Sequence, residues 1–258
     1  MKTFFHLAAL SLIGCASPES PGTVEVHGTA ALPALNMDTL QVHPVFHASL
    51  VLQYRGTTIY VDPYNGAGRF GGYPAPDLVL ITDIHPDHLD TATLASLPLE
   101  HARIVAPKAV KDLLPARMQT ICTVLNNGDT VDRANAHILG IPMYNLPDGP
   151  AAFHPKGRGN GYVLAFGGKR IYISGDTQGI PEMRALKNID IAFICMNLPF
   201  TMAVDEAADA VLAFKPKVVY PYHYRGKDGL SDVGRFKALV NAKDPDIEVR
   251  QEDWYPAG

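Results

Sequence analysis

The chain has 258 residues, 47% of them apolar and 19% charged, which is a globular composition with enough length for one large domain or two small ones. Its formal net charge of -4 lacks the basic excess of a nucleic-acid-binding surface. No like-charge run, low-complexity tract or repeat of solenoid period interrupts it, which sets aside disordered and repeat architectures.

The N-terminus, "MKTFFHLAALSLIGCAS", places Lys2 before the apolar stretch Phe4 to Ile13. That stretch is too short to span a bilayer and suits the apolar part of a secretory signal. The following "ASPESPGT" reads as a tether of small and turn-forming residues. "HPVFHASLVLQY" and "TTIYVDP" flank Arg55-Gly56 as a hairpin. "DLVLIT" is a near-continuous apolar run of the kind expected for a strand covered on both faces. Asp90 is placed to cap a short helix through "TATLASL", and "RIVAP" then "AVKDLLP" repeat the strand-then-helix order.

"HILGIPMYN" predicts another strand, followed by the irregular "LPDGPAAFHPKGRGN". "GYVLAFGG" and "KRIYISGD" form a hairpin-like pair turning at Gly167-Gly168. The last third alternates: strand "DIAFICM", helix "AVDEAADAVLAF", strand "KVVYPYHY", helix "DVGRFKALVNA", strand "IEVRQED". Hairpins followed by strand–helix alternation predict two sheets with helices outside, in one layered α/β domain. Cys122 and Cys195 sit in apolar, strand-like surroundings that favour buried thiols, and neither has a cysteine neighbour at zinc-cluster spacing.

The chemistry concentrates in "ITDIHPDHLD", where Asp83, His85, Asp87 and His88 follow an apolar strand. Residues two apart on an extended chain point the same way, so Asp83 and His85 converge, and Pro86 holds His85 extended before the turn that redirects Asp87 and His88. Such a run can serve two metals, but four ligands cannot complete both. His154 in "FHPKG", Asp176 in "YISGDT" and His223 in "VVYPYHY" are the further donors, each at a strand end or in a Gly/Pro-rich loop. Each is weak alone; their order along the chain is what counts.

Two resemblances follow from these residues. Leu12-Ile13-Gly14-Cys15 resembles the lipobox of bacterial lipoproteins, which implies a signal peptide over 1–14, lipidation at Cys15, a tether over 15–38 and the enzyme-like domain over 39–258. The implied location is the cell envelope, anchored by lipid to a membrane, on the periplasmic face of the outer membrane in a Gram-negative host. From about Val42 to Tyr224 the chain resembles the metallo-β-lactamase-fold hydrolases, in the branch that includes ascorbate-6-phosphate lactonase. "FHASLVLQYRGTTIYVDP", "ITDIHPDHLD", "RIYISGDT" with "IPEM", and "PKVVYPYHY" carry the likeness.

That resemblance implies a four-layer αβ/βα sandwich, with two mixed β-sheets and outer helices. It implies a first metal held by Asp83, His85 and His154, a second held by Asp87, His88 and His223, and Asp176 bridging them. Asp87 and Asp176 are the implied catalytic carboxylates, Asp87 by orienting the nucleophile and carrying its proton. His47 matches a histidine of the family's first strand, with a structural or supporting role implied at least as readily as a catalytic one, and Asp62 is the carboxylate expected to brace a ligand histidine. The implied cofactor is one or two divalent transition metals, zinc first. Asp83 stands where the family has histidine, and its oxygen admits harder Mn2+ or Fe2+.

The implied reaction is metal-dependent hydrolysis of an ester, lactone, amide or phosphodiester bond in a small molecule or a lipid headgroup. The competing reading is a non-catalytic, degenerate metal-binding envelope lipoprotein of the same fold. Tyr222, Tyr224 and Lys156 flank proposed ligands and read first as packing or surface residues.

Overall fold

The computed structural model describes Met1 and residues 39–256. The lipobox, Cys15 and the tether over 15–38 lie outside the described residues. Asn36–Gly258 form one unit, and the architecture below is of that unit alone.

Strands β1 (Gln41–Phe46), β2 (Ser49–Tyr54), β3 (Thr57–Val61), β4 (Leu78–Leu80), β5 (Arg103–Ala106) and β6 (Cys122–Val124) make a six-stranded sheet in that spatial order. The first three pair antiparallel, the remainder parallel. The link from β3 to β4 makes a short 3-10 turn at Ala67–Phe70, and the later parallel links pass through short helices α1 (Thr91–Ser96), α2 (Lys108–Leu113) and α3 (Ala116–Ile121). The run "LVLI" shows why these strands are apolar on consecutive residues. Leu78 and Leu80 join the larger core cluster with residues of the second sheet, while Val79 and Ile81 join a separate cluster with Leu94, Val110 and Met118 of the three helices. A side-chain period of two thus feeds two hydrophobic layers.

The second sheet is built from β7 (Thr130–Arg133), β8 (Ala136–Met143), β9 (Gly159–Phe166), β10 (Lys169–Ile173), β11 (Ile191–Cys195) and β12 (Val218–Tyr222). A two-stranded ribbon, β13 (Arg225–Gly226) with β14 (Gly229–Leu230), follows, and β15 (Glu248–Val249) closes the second sheet beside β12. It is antiparallel from β7 to β10 and parallel from β10 to β15, with α4 (Pro181–Arg184), α5 (Val204–Phe214) and α6 (Val233–Lys243) in the connections. Tyr172 of β10 meets Phe214 of α5 edge-on at 5.9 Å, and Ala207, Val211, Phe236 and Val240 bury the inner stripes of α5 and α6. The two mixed sheets with flanking helices are the α/β architecture expected from the sequence.

Local detail departs from expectation in places. "HPVFHASLVLQY" is two strands, not one, because His47 takes a left-handed turn (φ 57°) between β1 and β2. "QTICTVL" changes from helix to strand at Cys122, and "IEVRQED" keeps only two strand residues. Cys122 and Cys195 are free thiols in separate core clusters. Asp90 caps α1, its Oδ1 accepting the Ala92 and Thr93 N–H groups at 3.1 and 2.9 Å. Among the described residues, no helix is long and apolar enough to cross a membrane.

Candidate metal centre

Strands β3, β4, β10, β11 and β12 all end on one edge of the two sheets, and the residues just past those ends are Asp62, Asp83, Asp176, Asn197 and His223. Ligands in sheet proteins of mixed topology collect at such carboxyl ends because the loops there are free of packing duty. The backbone is bent sharply at two of these positions and at His47, between β1 and β2. His47, Asp62 and His223 have φ of 57°, 42° and 47°, a left-handed conformation that costs non-glycine residues energy and persists only where the surroundings enforce it.

After β4 the chain stays extended to Asp83, then turns, with the His88 and Leu89 N–H groups donating to the His85 carbonyl at 2.9 and 2.8 Å. The turn sinks His88 to full burial against Asp62. The two oxygens of Asp62 receive the Thr82 N–H (2.8 Å), the Thr82 hydroxyl (2.6 Å) and His88 Nδ1 (2.8 Å). That bond fixes the His88 tautomer, leaving Nε2 as the lone-pair nitrogen. His88 Nε2 lies 3.2 Å from His223 Nε2 and 3.4 Å from Asp176 Oδ2, and His223 Nε2 lies 3.2 Å from Asp176 Oδ1. His88, Asp176 and His223, all buried, thus converge their donor atoms on one point, with Asp87 at its margin, 3.5 Å from His223.

This group fits a divalent metal. Two imidazole nitrogens face each other at 3.2 Å, and among the described residues the buried Asp176 Oδ1 and His154 Nε2 make no hydrogen bond of good geometry. Among the described residues, four carboxylates, Asp62, Asp83, Asp87 and Asp176, meet one guanidinium here, so a dication is the natural counterion. The electrostatics agree. Burial opposes charge on His88, yet the carboxylates of Asp176, Asp87 and Asp62 raise its pKa well above the ordinary value. Burial likewise opposes ionisation of Asp176, and His223 and His88 hold it well below the usual carboxylate range. Asp87 is lowered in the same manner, by His88, His223 and His47 against its burial.

The other group is Asp83, His85 and His154. His154 is oriented by Asn145, whose Oδ1 receives the His154 backbone N–H at 2.8 Å and lies 3.0 Å from Nδ1. His154 Nε2 then points 3.3 Å from Asp176 Oδ2 and 3.9 Å from Asp83 Oδ2. Asp83 is fully buried and is gripped by Arg158, Nε to Oδ1 at 3.1 Å and Nη2 to Oδ2 at 2.8 Å. The same Nη2 lies 3.3 Å from His85 Nε2 and donates to the Phe153 carbonyl at 2.7 Å.

All seven expected ligands therefore lie around one edge of the fold. His47 approaches too, with Nε2 3.1 Å from Asp87 Oδ2 and Nδ1 2.8 Å from the Tyr255 hydroxyl. Burial and the neighbouring His223 depress its pKa to about 4. Lys156 is occupied elsewhere, by Glu182 at 2.7 Å. Tyr222 is fully buried, and its hydroxyl receives the Gly175 N–H beside Asp176 at 3.0 Å; Tyr224 packs against Tyr255. Arg158, Asn145, Asn197 and Tyr255 are absent from the sequence reading. Only Arg158 left a signal there: an aspartate replacing an expected histidine calls for a compensating cation.

A cavity of about 240 Å³ opens onto the centre, lined by His85, Asp87, His154, Asp176, Phe153 and Phe200. The two phenylalanines meet edge-on at 5.2 Å and give its mouth an apolar wall.

Residues 41–223 match the family model described as the β-lactamase superfamily domain. The chain is 32% identical over 197 residues to a UPF0173 metal-dependent hydrolase of Pyrococcus abyssi, covering 72% of this chain and 85% of that protein. A crystal structure from Parabacteroides distasonis, carrying the provisional designation of metal-dependent hydrolase, superposes with TM-score 0.72 at 38% identity, over 83% of this chain and 92% of the other. The metallo hydrolase Igni18 of Ignicoccus hospitalis shares the fold at TM-score 0.69 and 22% identity, over 83% of this chain and 95% of that one.

Proposed function

Because this chain belongs to the UPF0173 metal-dependent hydrolases of the metallo-β-lactamase superfamily, we propose that it hydrolyses an ester, lactone, amide or phosphodiester bond of a small molecule at the centre formed by His88, Asp176, His223 and Asp87. The observation that carries this is the convergence of buried donor atoms of His88, Asp176 and His223, with Asp62 fixing the tautomer behind His88. A zinc-type cation bound there supplies Lewis acidity, lowering the pKa of water and polarising the oxygen of the bond to be cleaved.

The protein's own groups provide the rest. Asp87 lines the cavity and is partly exposed, so its carboxylate can orient the attacking water and accept its proton. His47 Nε2 at 3.1 Å is the next station, and the Tyr255 hydroxyl fixes the ring from behind at 2.8 Å. Phe153 and Phe200 exclude water from the mouth and favour a substrate with an apolar portion beside the scissile bond. Within the range of bonds, the sequence resemblance to the ascorbate-6-phosphate lactonase branch favours a lactone, and the lipid anchor read at Cys15 favours substrates of the cell envelope, lipid headgroups included.

A panel of lactone, ester, amide and phosphodiester substrates, run with zinc, with chelator and with His223→Ala, tests the reading. Turnover of one class that disappears with chelator and in the variant is expected; turnover that survives both refutes it.

A further inference from the structure

Arg158 is held by more than its charge. It sits between Gly157, whose φ of 84° a side chain would strain, and Gly159, where an added Cβ would fall 2.9 Å from the Thr82 carbonyl oxygen and from Met143 Sδ. The next residue, Asn160, donates its N–H to that same Thr82 carbonyl at 2.9 Å. The start of β9 is therefore registered directly against the residue preceding Asp83, and the guanidinium reaches Asp83 in a two-point grip.

This grip consumes the donor atoms a cation would need. Both oxygens of Asp83 are bonded to Arg158, and Oδ2 also faces His85 Nδ1 at 3.0 Å. His85 then has Nδ1 committed to Asp83 and Nε2 facing Arg158 Nη2 at 3.3 Å. The lone pairs left in this group are on His85 Nε2, which lies 3.3 Å from the guanidinium nitrogen that holds Asp83, and on His154 Nε2, which faces Asp176 of the other group. The group of Asp83, His85 and His154 does not fit a metal while Arg158 is in place, and a dication there would also be repelled by the guanidinium.

We infer that this protein holds one metal rather than two, and that the Arg158 guanidinium is the permanent cation at the first position, with aspartate in place of histidine at position 83 as its matching half. This rests on the metal-centre reading above. In it Arg158 keeps Asp83 and His85 fixed and places its positive charge behind His85, a residue that lines the cavity, on the side where a second cation would otherwise sit.

The test is stoichiometry, which is independent of turnover. Metal-stripped full-length protein is titrated with zinc, bound metal is counted by mass spectrometry of the native protein, and folding is followed by circular dichroism. Wild type is expected to bind one tight equivalent. Arg158→Lys keeps the charge and is expected to stay at one. The double variant Asp83→His with Arg158→Met, which removes the pair without stranding a buried carboxylate, is expected to bind two. Two tight equivalents in wild type would overturn the inference while leaving the metal-dependent reading intact, as would a folded double variant that still binds one. No tight equivalent in wild type would instead overturn the metal-centre reading itself.

Discussion

Replacing Asp62 by asparagine is the sharpest probe of how the centre is braced, because the side chain is fully buried and its carboxylate accepts hydrogen bonds from Thr82 and His88. The amide keeps an oxygen for one donor, and the Thr82 hydroxyl can rotate to accept from the new N–H. What cannot be kept is the negative charge facing His88 Nδ1–H at 2.8 Å. A charge-assisted hydrogen bond of this kind is worth about 1.5–3 kcal/mol. Loss of such a carboxylate behind a ligating imidazole weakens metal binding by about 10–100-fold, equivalent to about 1.4–2.8 kcal/mol. Zinc titration against a fluorescent chelator, wild type beside Asp62→Asn, measures this directly, with thermal melts of the metal-free forms as the folding control. A folded Asp62→Asn variant with wild-type zinc affinity would refute the claim that Asp62 sets the tautomer His88 uses for ligation.

Three further outcomes are expected. His88 and His223 both have pKa values raised above the ordinary 6.5, so in the metal-free protein their stabilisation is complete below about pH 6.5 and is lost as pH rises through their folded values. The zinc-loaded protein should show the opposite slope, because ligation requires neutral imidazole; parallel melting-temperature profiles for the two forms would contradict this. Trp254 is fully buried against Tyr222 and Phe193, at ring separations of 5.6 and 6.3 Å, so Trp254→Ala should cost about 3–5 kcal/mol in chemical denaturation. Cys15→Ser in cells fed a labelled fatty acid should abolish lipid labelling and membrane partition, and unchanged labelling would remove the anchor from the account.

The parts of the fold that could be read from the sequence are those whose side-chain pattern reports their surroundings. The apolar run at Leu78–Ile81 reports two buried faces, and Ala207, Val211 and Phe214 report one buried stripe of a helix. Strand β7, "TVDR", is a mostly exposed edge with no apolar signal, and β6 begins where a helix ends, so neither announces itself. The ligand cluster at 83–88 is local and therefore visible. The residues that orient it are solitary ones delivered by topology. Arg158 lies 75 positions from Asp83, and Tyr255 lies 208 from His47. His47 and Asp62 were visible as residues, but the left-handed turns that aim them depend on how the sheets meet and leave no mark in composition.

The central claim is that a single catalytic metal sits among His88, Asp176 and His223. Anomalous diffraction at the zinc edge from crystals of the zinc-loaded protein tests it most directly. One peak is predicted, between His88 Nε2, Asp176 and His223 Nε2, with the Arg158 guanidinium still paired to Asp83. A map with no peak at those three residues, or with the strongest peak between Asp83, His85 and His154, would contradict it.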